Sequence, residues 1–140
     1  MSKIFIASAR FYDDISDRLE AGTEAYLDAC KVEHDMVTLP GALEIPAAIK
    51  FASQSGEYAG FIALGCVIRG ETTHYELVCN ESARGLTDLG VHHNLCIGNG
   101  ILTVENRAQA MARTETDNHK GAHAAKACMA LMELKGRYGS

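Results

Sequence analysis

The residues best suited to chemistry cluster in one stretch, Gly65-Cys66-Val67-Ile68-Arg69-Gly70-Glu71-Thr72-Thr73-His74. Its spacing matches the phosphate-loop pattern G-x-x-x-x-G-K-[ST], except that Glu71 stands where a Lys would reach the outer phosphates. A carboxylate there repels a triphosphate, which argues against a nucleotide triphosphatase. What remains is a glycine-containing turn before a helix start, whose free backbone N–H groups suit one small phosphate. A plain helix start is the structural alternative. His74 falls in the first helical turn, where the helix dipole disfavours imidazolium and leaves a neutral ring able to accept a proton. An exposed surface His is the alternative there.

Other candidates carry less. His119 and His123, at i and i+4, have chelating spacing but no third ligand, so no metal site is expected. His92-His93 is read as a solvated loop. Gly98-Asn99-Gly100 begins like a dinucleotide fingerprint, but Thr103 occupies the third glycine position and no acidic ribose partner follows, so a Rossmann site is set aside. Arg69, Arg113 and Lys120 are the basic groups nearest to plausible phosphate-binding loops, and Arg offers the forked donor that suits phosphate.

These residues need elements to hold them. Strand-like runs are expected at 3–8, 32–39, 60–68 and 95–104, alternating with helices at 13–30, from about Glu44 to Gly56, at 73–89, at 105–113 and from about Asn118 to Arg137. Asp13 or Asp14 is an expected N-cap, and Thr73-His74-Tyr75-Glu76 has the form of a capping box. Gly60–Ile68 is apolar throughout, as a central strand covered on both faces would be. The expectation is an α/β, flavodoxin-like three-layer sandwich with a central, mostly parallel four-stranded sheet. In such sheets ligands bind beyond the carboxyl ends of the strands. Ala9-Arg10-Phe11-Tyr12, Leu39-Pro40-Gly41-Ala42-Leu43-Glu44 and the Arg69–His74 turn would all gather there. The last helix, with its Ala, Met and Leu positions from Ala122 to Met132, is apolar over more than one stripe, and its second face is expected to pack on another subunit.

At 140 residues the chain is read as a single domain, residues 1–140, with a radius of gyration near ~14 Å. A composition 47% apolar and 22% charged allows a full core and excludes an intrinsically disordered chain. The net charge of −5, without a basic stripe, argues against nucleic acid as a partner. No apolar run approaches the ~20 residues of a membrane helix, and Met1-Ser2-Lys3 leads into a strand rather than a signal peptide, so a cytoplasmic location and no membrane partner are expected. Five widely spaced cysteines without a C-x-x-C pair suggest reduced, mostly buried thiols.

Several motifs in fixed order then resemble the 6,7-dimethyl-8-ribityllumazine synthase family. They are Pro40-Gly41-Ala42-Leu43-Glu44-Ile45-Pro46, Gly65 through Glu76, Asn80-Glu81, and Gly100-Ile101-Leu102-Thr103-Val104-Glu105-Asn106. The resemblance implies condensation of 5-amino-6-(D-ribitylamino)uracil with 3,4-dihydroxy-2-butanone 4-phosphate, with no metal or organic cofactor. It implies that Phe11 stacks on the pyrimidine ring, that Ala42, Leu43 and Glu44 bind its polar edge and ribityl chain, and that Cys66, Val67 and Ile68 line the same pocket. Glu71 and Thr72 would hold the phosphate and His74 would transfer protons. Asn99 and Arg113 would come from a neighbouring subunit, and Lys120 matches a basic residue near the site. Leu43 and Asn99 stand where many relatives carry aromatic rings. Thr114–His119 replaces the turn that resembles the hallmark of sixty-subunit capsids, which favours a homopentamer. A flavin-binding paralogue with weak synthase activity is the alternative reading of the same pocket.

Overall fold

A computed structural model describes residues 3–139; the expected start at Met1 and Ser2 lies outside the described residues. Four strands, β1 (Ile4–Ala9), β2 (His34–Leu39), β3 (Gly60–Ile68) and β4 (Ile97–Val104), pair in parallel in the order β2-β1-β3-β4. This is the flavodoxin-like order, and every pairing is parallel. The helices are α1 (Asp13–Ala29), α2 (Ile45–Ser53), α3 (His74–His93), α4 (Arg107–Ala112) and α5 (Lys120–Tyr138).

Alternation along β1 divides the core between the two faces of the sheet. Phe5, Ala7 and Ala9 join Ile45 and Ile49 of α2 and Val78, Leu86 and Leu89 of α3 on one face. Ile4 and Ile6 join Leu27 of α1 and Ala124, Ala125 and Cys128 of α5 on the other. Each fully buried Ile or Leu in these layers contributes about 1.5–3 kcal/mol. β3, sealed on both faces from Gly60 to Cys66, has the burial its unbroken apolar run predicts.

Several boundaries differ from the sequence reading. Tyr12, not Asp13 or Asp14, is the N-cap of α1 and makes no side-chain cap; Asp13 and Asp14 turn instead to Arg10 and Arg107, where charge-assisted bonds are stronger. Thr73 is the N-cap of α3, but the capping box does not form, because Glu76 pairs with Arg69 rather than reaching back. α3 runs four residues beyond Leu89, so His92 and His93 are exposed on its last turn rather than in a loop. It ends where Asn94 takes the left-handed conformation and Leu95 N–H donates to the Leu89 carbonyl at 3.2 Å. α2 stops at Ser53, before the Gly56 expected to close it. The expected 105–113 helix is shorter, opened by Asn106, whose Oδ1 accepts the Gln109 N–H at 2.9 Å. Of the cysteines, Cys66, Cys96 and Cys128 are buried, Cys79 is half-buried and Cys30 is exposed.

His119, considered above for chelation, has a structural task. Its Nδ1 accepts the Ala122 N–H at 3.2 Å as the N-cap of α5, and its Nε2 donates to the Arg18 carbonyl at 2.9 Å. The ring fills the space where a side chain at Gly22 would stand, and so docks α5 on α1. His123 is exposed, and no group of three metal-ligating side chains occurs among the described residues. No described helix is long and apolar enough to cross a membrane.

The glycines of β4 set how closely α5 approaches. A Cβ at Gly98 would fall 1.9 Å from the Ala124 carbonyl oxygen, a backbone atom that cannot rotate away. The fragment that suggested a dinucleotide loop is therefore a helix-packing device. Gly98→Ala should destabilise by roughly 3 kcal/mol through overpacking. Gly136→Ala, in the last turn of α5 with open space around it, should stabilise by up to about 0.5 kcal/mol. Urea unfolding of both variants beside the wild type checks the opposite signs.

Candidate active site

Because β1, β2 and β3 are parallel neighbours, the segments that follow them leave at the same end of the sheet. The first carries Arg10, Phe11 and Tyr12. Arg10 N–H donates to the Leu39 carbonyl at 3.1 Å, continuing the β1–β2 ladder by one residue. Its guanidinium then reaches Asp17 at 2.6 Å and Glu20 at 2.9 Å. Glu20 also accepts a 2.6 Å bond from the buried hydroxyl of Ser8. This network moors the exit of β1 to α1. Phe11 is left projecting, 71% exposed, its ring edge-on to Tyr12 at 4.9 Å. A mounted aromatic facing solvent is a surface awaiting a flat partner.

The second segment follows β2. Pro40 ends the strand, and Ala42–Glu44 form one 3₁₀ turn that runs into α2, with Pro46 in the first helical turn. Ala42 faces inward, whereas Leu43 and Glu44 face outward. The third segment follows β3. Cys66 is buried, Val67 and Ile68 are half-buried, and the chain then turns through Gly70-Glu71-Thr72-Thr73, all exposed. The Thr72 Oγ1 accepts the His74 N–H at 3.2 Å, which orients the entry to α3 and puts His74 at its first residue.

Together these segments enclose a cleft of about 310 Å³. It is lined by Phe11, Ala42, Leu43, Glu44, Cys66, Val67, Ile68 and His74, and the lining is mostly apolar with one carboxylate and one imidazole. Burial pushes the Cys66 thiol up to about 11, so near neutral pH it is a protonated wall residue and not a nucleophile. The cleft can hold a planar heterocycle against Phe11, with hydrogen-bonding groups at its rim and a proton-transfer group at its far side.

The remaining candidates lie elsewhere. Glu71 and Thr72 are on the exposed turn before His74 and do not line the cleft. Asn99 is exposed on β4, where its Oδ1 accepts the Ile101 N–H at 3.0 Å. Arg113 and Lys120 line a separate recess of about 250 Å³ with Thr103, Asn118 and His123, along the β4 edge. One chain thus brings eight of the candidates together and leaves a second, basic set apart. Tyr12 and Val78 also line the cleft. Tyr12 was legible as part of the β1 exit; Val78 follows only from α3 lying one turn beneath His74.

A wider recess of about 620 Å³ opens between α5 and the segments that lead into β3 and β4, lined by Tyr58, Cys96, Met132 and Lys135. It is at the amino ends of the strands, away from the loops that carry the polar candidates.

The whole chain matches known proteins in the same terms. Residues 1–136 match the family model for 6,7-dimethyl-8-ribityllumazine synthase. A protein of that name from Bartonella henselae is 52% identical over 139 residues, covering 97% of this chain and 90% of its own length. The 6,7-dimethyl-8-ribityllumazine synthase 1 of Rhizobium meliloti is 53% identical over 143 residues, covering 98% and 94% respectively. The Erythrobacter litoralis synthase is 49% identical and covers both chains completely. The motifs that built the cleft and the length of these matches agree: this chain belongs to the 6,7-dimethyl-8-ribityllumazine synthase family.

Proposed function

We propose that residues 1–140 act as one domain that makes 6,7-dimethyl-8-ribityllumazine from 5-amino-6-(D-ribitylamino)uracil and 3,4-dihydroxy-2-butanone 4-phosphate, a transferase step of riboflavin biosynthesis. The observation that carries this is the cleft itself, where Phe11, Glu44 and His74 arrive from three different strand ends. In the reaction the substrate amine attacks the ketone and one water leaves as the imine forms. Phosphate is then eliminated, and closure of the second ring releases another water. The nucleophile is the substrate's own amine, so the protein supplies orientation, an anion anchor and a proton shuttle. Phe11 stacks on the pyrimidine, Ala42, Leu43 and Glu44 meet its polar edge and ribityl chain, and Cys66, Val67 and Ile68 form the wall. His74 moves protons between the amine, the carbonyl oxygen and the departing phosphate. Glu71 and Thr72 offer the turn that receives the phosphate.

The site is completed by a second copy of the chain, whose Asn99 closes over the ring and whose Arg113 reaches the phosphate, with Lys120 nearby. Two features support this reading: the cleft is open on the side of Phe11, and the basic recess stands apart from it. Leu131 and Leu134 of α5, 42% and 44% exposed, are apolar surface that a neighbour would cover. A homopentamer in the cytoplasm is the arrangement we favour over a sixty-subunit capsid.

Mixing both substrates with the protein should give a product that absorbs in the near ultraviolet and fluoresces blue, above the spontaneous rate. A copurified yellow chromophore without turnover would overturn the synthase reading in favour of flavin storage. His74→Ala should lower kcat by about 100-fold with a smaller change in KM. Phe11→Ala should raise KM for the pyrimidine by about tenfold, the scale of one lost stacking contact. Light scattering should give a mass five times the 15.1 kDa subunit. Dilution below the association range should abolish turnover while far-ultraviolet dichroism is retained.

A further inference from the structure

Arg69 joins the three elements that meet beside the phosphate turn, and it is not a free cation. Its N–H donates to the Val104 carbonyl at 2.9 Å, extending the β3–β4 pairing past Ile68. Its Nε donates to Glu105 Oε1 at 2.9 Å, just beyond β4, and its Nη1 pairs with Glu76 in the first turn of α3. The guanidinium lies 4.3 Å from the centre of the Tyr75 ring. Two of its three nitrogens, Nε and Nη1, are therefore held by carboxylates, and one face of the guanidinium lies on an aromatic ring.

We propose that Arg69 is a positioning residue: by bridging Glu76 and Glu105 it fixes both ends of the Gly70–Thr73 turn, so that Glu71, Thr72 and His74 meet the phosphate of the four-carbon substrate in one geometry. This rests on the synthase reading above. The turn has little else to hold it, since all four of its residues are exposed and its described links are the Thr72 bond to His74 and the Leu77 N–H to the Thr73 carbonyl, at 3.2 Å each. Arg69 also neutralises two carboxylates that, with Glu71, would otherwise surround an incoming phosphate with negative charge. The pairing draws the Glu76 carboxyl below its usual range, as expected for a carboxylate kept ionised by its partner. Because Arg69, Glu76 and Glu105 are each about half exposed, their pairing adds little to global stability, and the effect is local to the turn.

The test uses Arg69→Gln, Arg69→Lys and Glu105→Gln in the full chain, with steady-state kinetics in both substrates and amide hydrogen exchange across residues 69–74. Arg69→Gln should raise KM for the butanone phosphate by about tenfold and leave KM for the pyrimidine within about twofold. Lys keeps the charge but cannot span both carboxylates, so it should restore only part of that loss. Glu105→Gln should raise the same KM in the same direction, by less. Exchange at His74 should quicken at least about fivefold in Arg69→Gln with the melting temperature nearly unchanged. Equal KM increases for both substrates, complete restoration by Lys, or unchanged exchange would each overturn the proposal. If the wild type makes no lumazine, the synthase reading fails, and the exchange measurement still decides whether Arg69 holds the turn.

Discussion

The parallel pairing of β1 with β2 on one side and β3 on the other is the constraint from which the rest follows. It sends three connections out of the sheet at one end, within reach of one another, although Phe11, Glu44 and His74 are far apart in sequence. Each exit is then stiffened in its own way. The first is tied to α1 by Arg10 and Glu20, the second is a 3₁₀ turn closed by Pro46 in the next helix, and the third is bracketed by Arg69. A site built from three loops can be accurate only if each loop has such a support.

The opposite face of the sheet supplies the rigidity behind these exits. Gly98 and Gly100 let α5 lie directly on β4, and the His119 ring beside Gly22 locks the start of α5 to α1. These contacts involve no polar candidate of the cleft, yet they set where α5, with Lys120 and His123 of the basic recess, stands against β4. A change of one methyl group at Gly98 would move the helix, because the obstructing atom is main chain.

The cleft of a single chain is open on one side and does not hold all of the polar candidates. Its aromatic lining group, Phe11, is 71% exposed, and Arg113 lines a different recess. Arg69, the other nearby arginine, is paired through Nη1 with Glu76 and through Nε with Glu105. On the proposed reading, identical copies would bring these two surfaces together.

Much of this was legible without coordinates. Short apolar runs located the four strands and period-3.6 patterning the main helices, since a parallel sheet covered on both faces needs the first and a helix lying on it the second. The uninterrupted Gly60–Ile68 run marked the strand covered on both sides, and the motifs from Pro40 to Glu76 named the residues of the cleft. Helix ends were less legible: Thr73 is the N-cap of α3, but Asp13 and Asp14 do not cap α1 and Glu76 does not close a box, because Arg10, Arg107 and Arg69 take those carboxylates, and α2 stops before Gly56. The roles of Gly98 and His119 could not be read at all, because both depend on how near one helix comes to another element. Sequence alone determined which residue types face the core and which could do chemistry, since those are properties of local pattern. Only the tertiary structure decided which of them share a cleft, which stand apart from it and which charges neutralise one another, because those are distances between segments that no local pattern encodes.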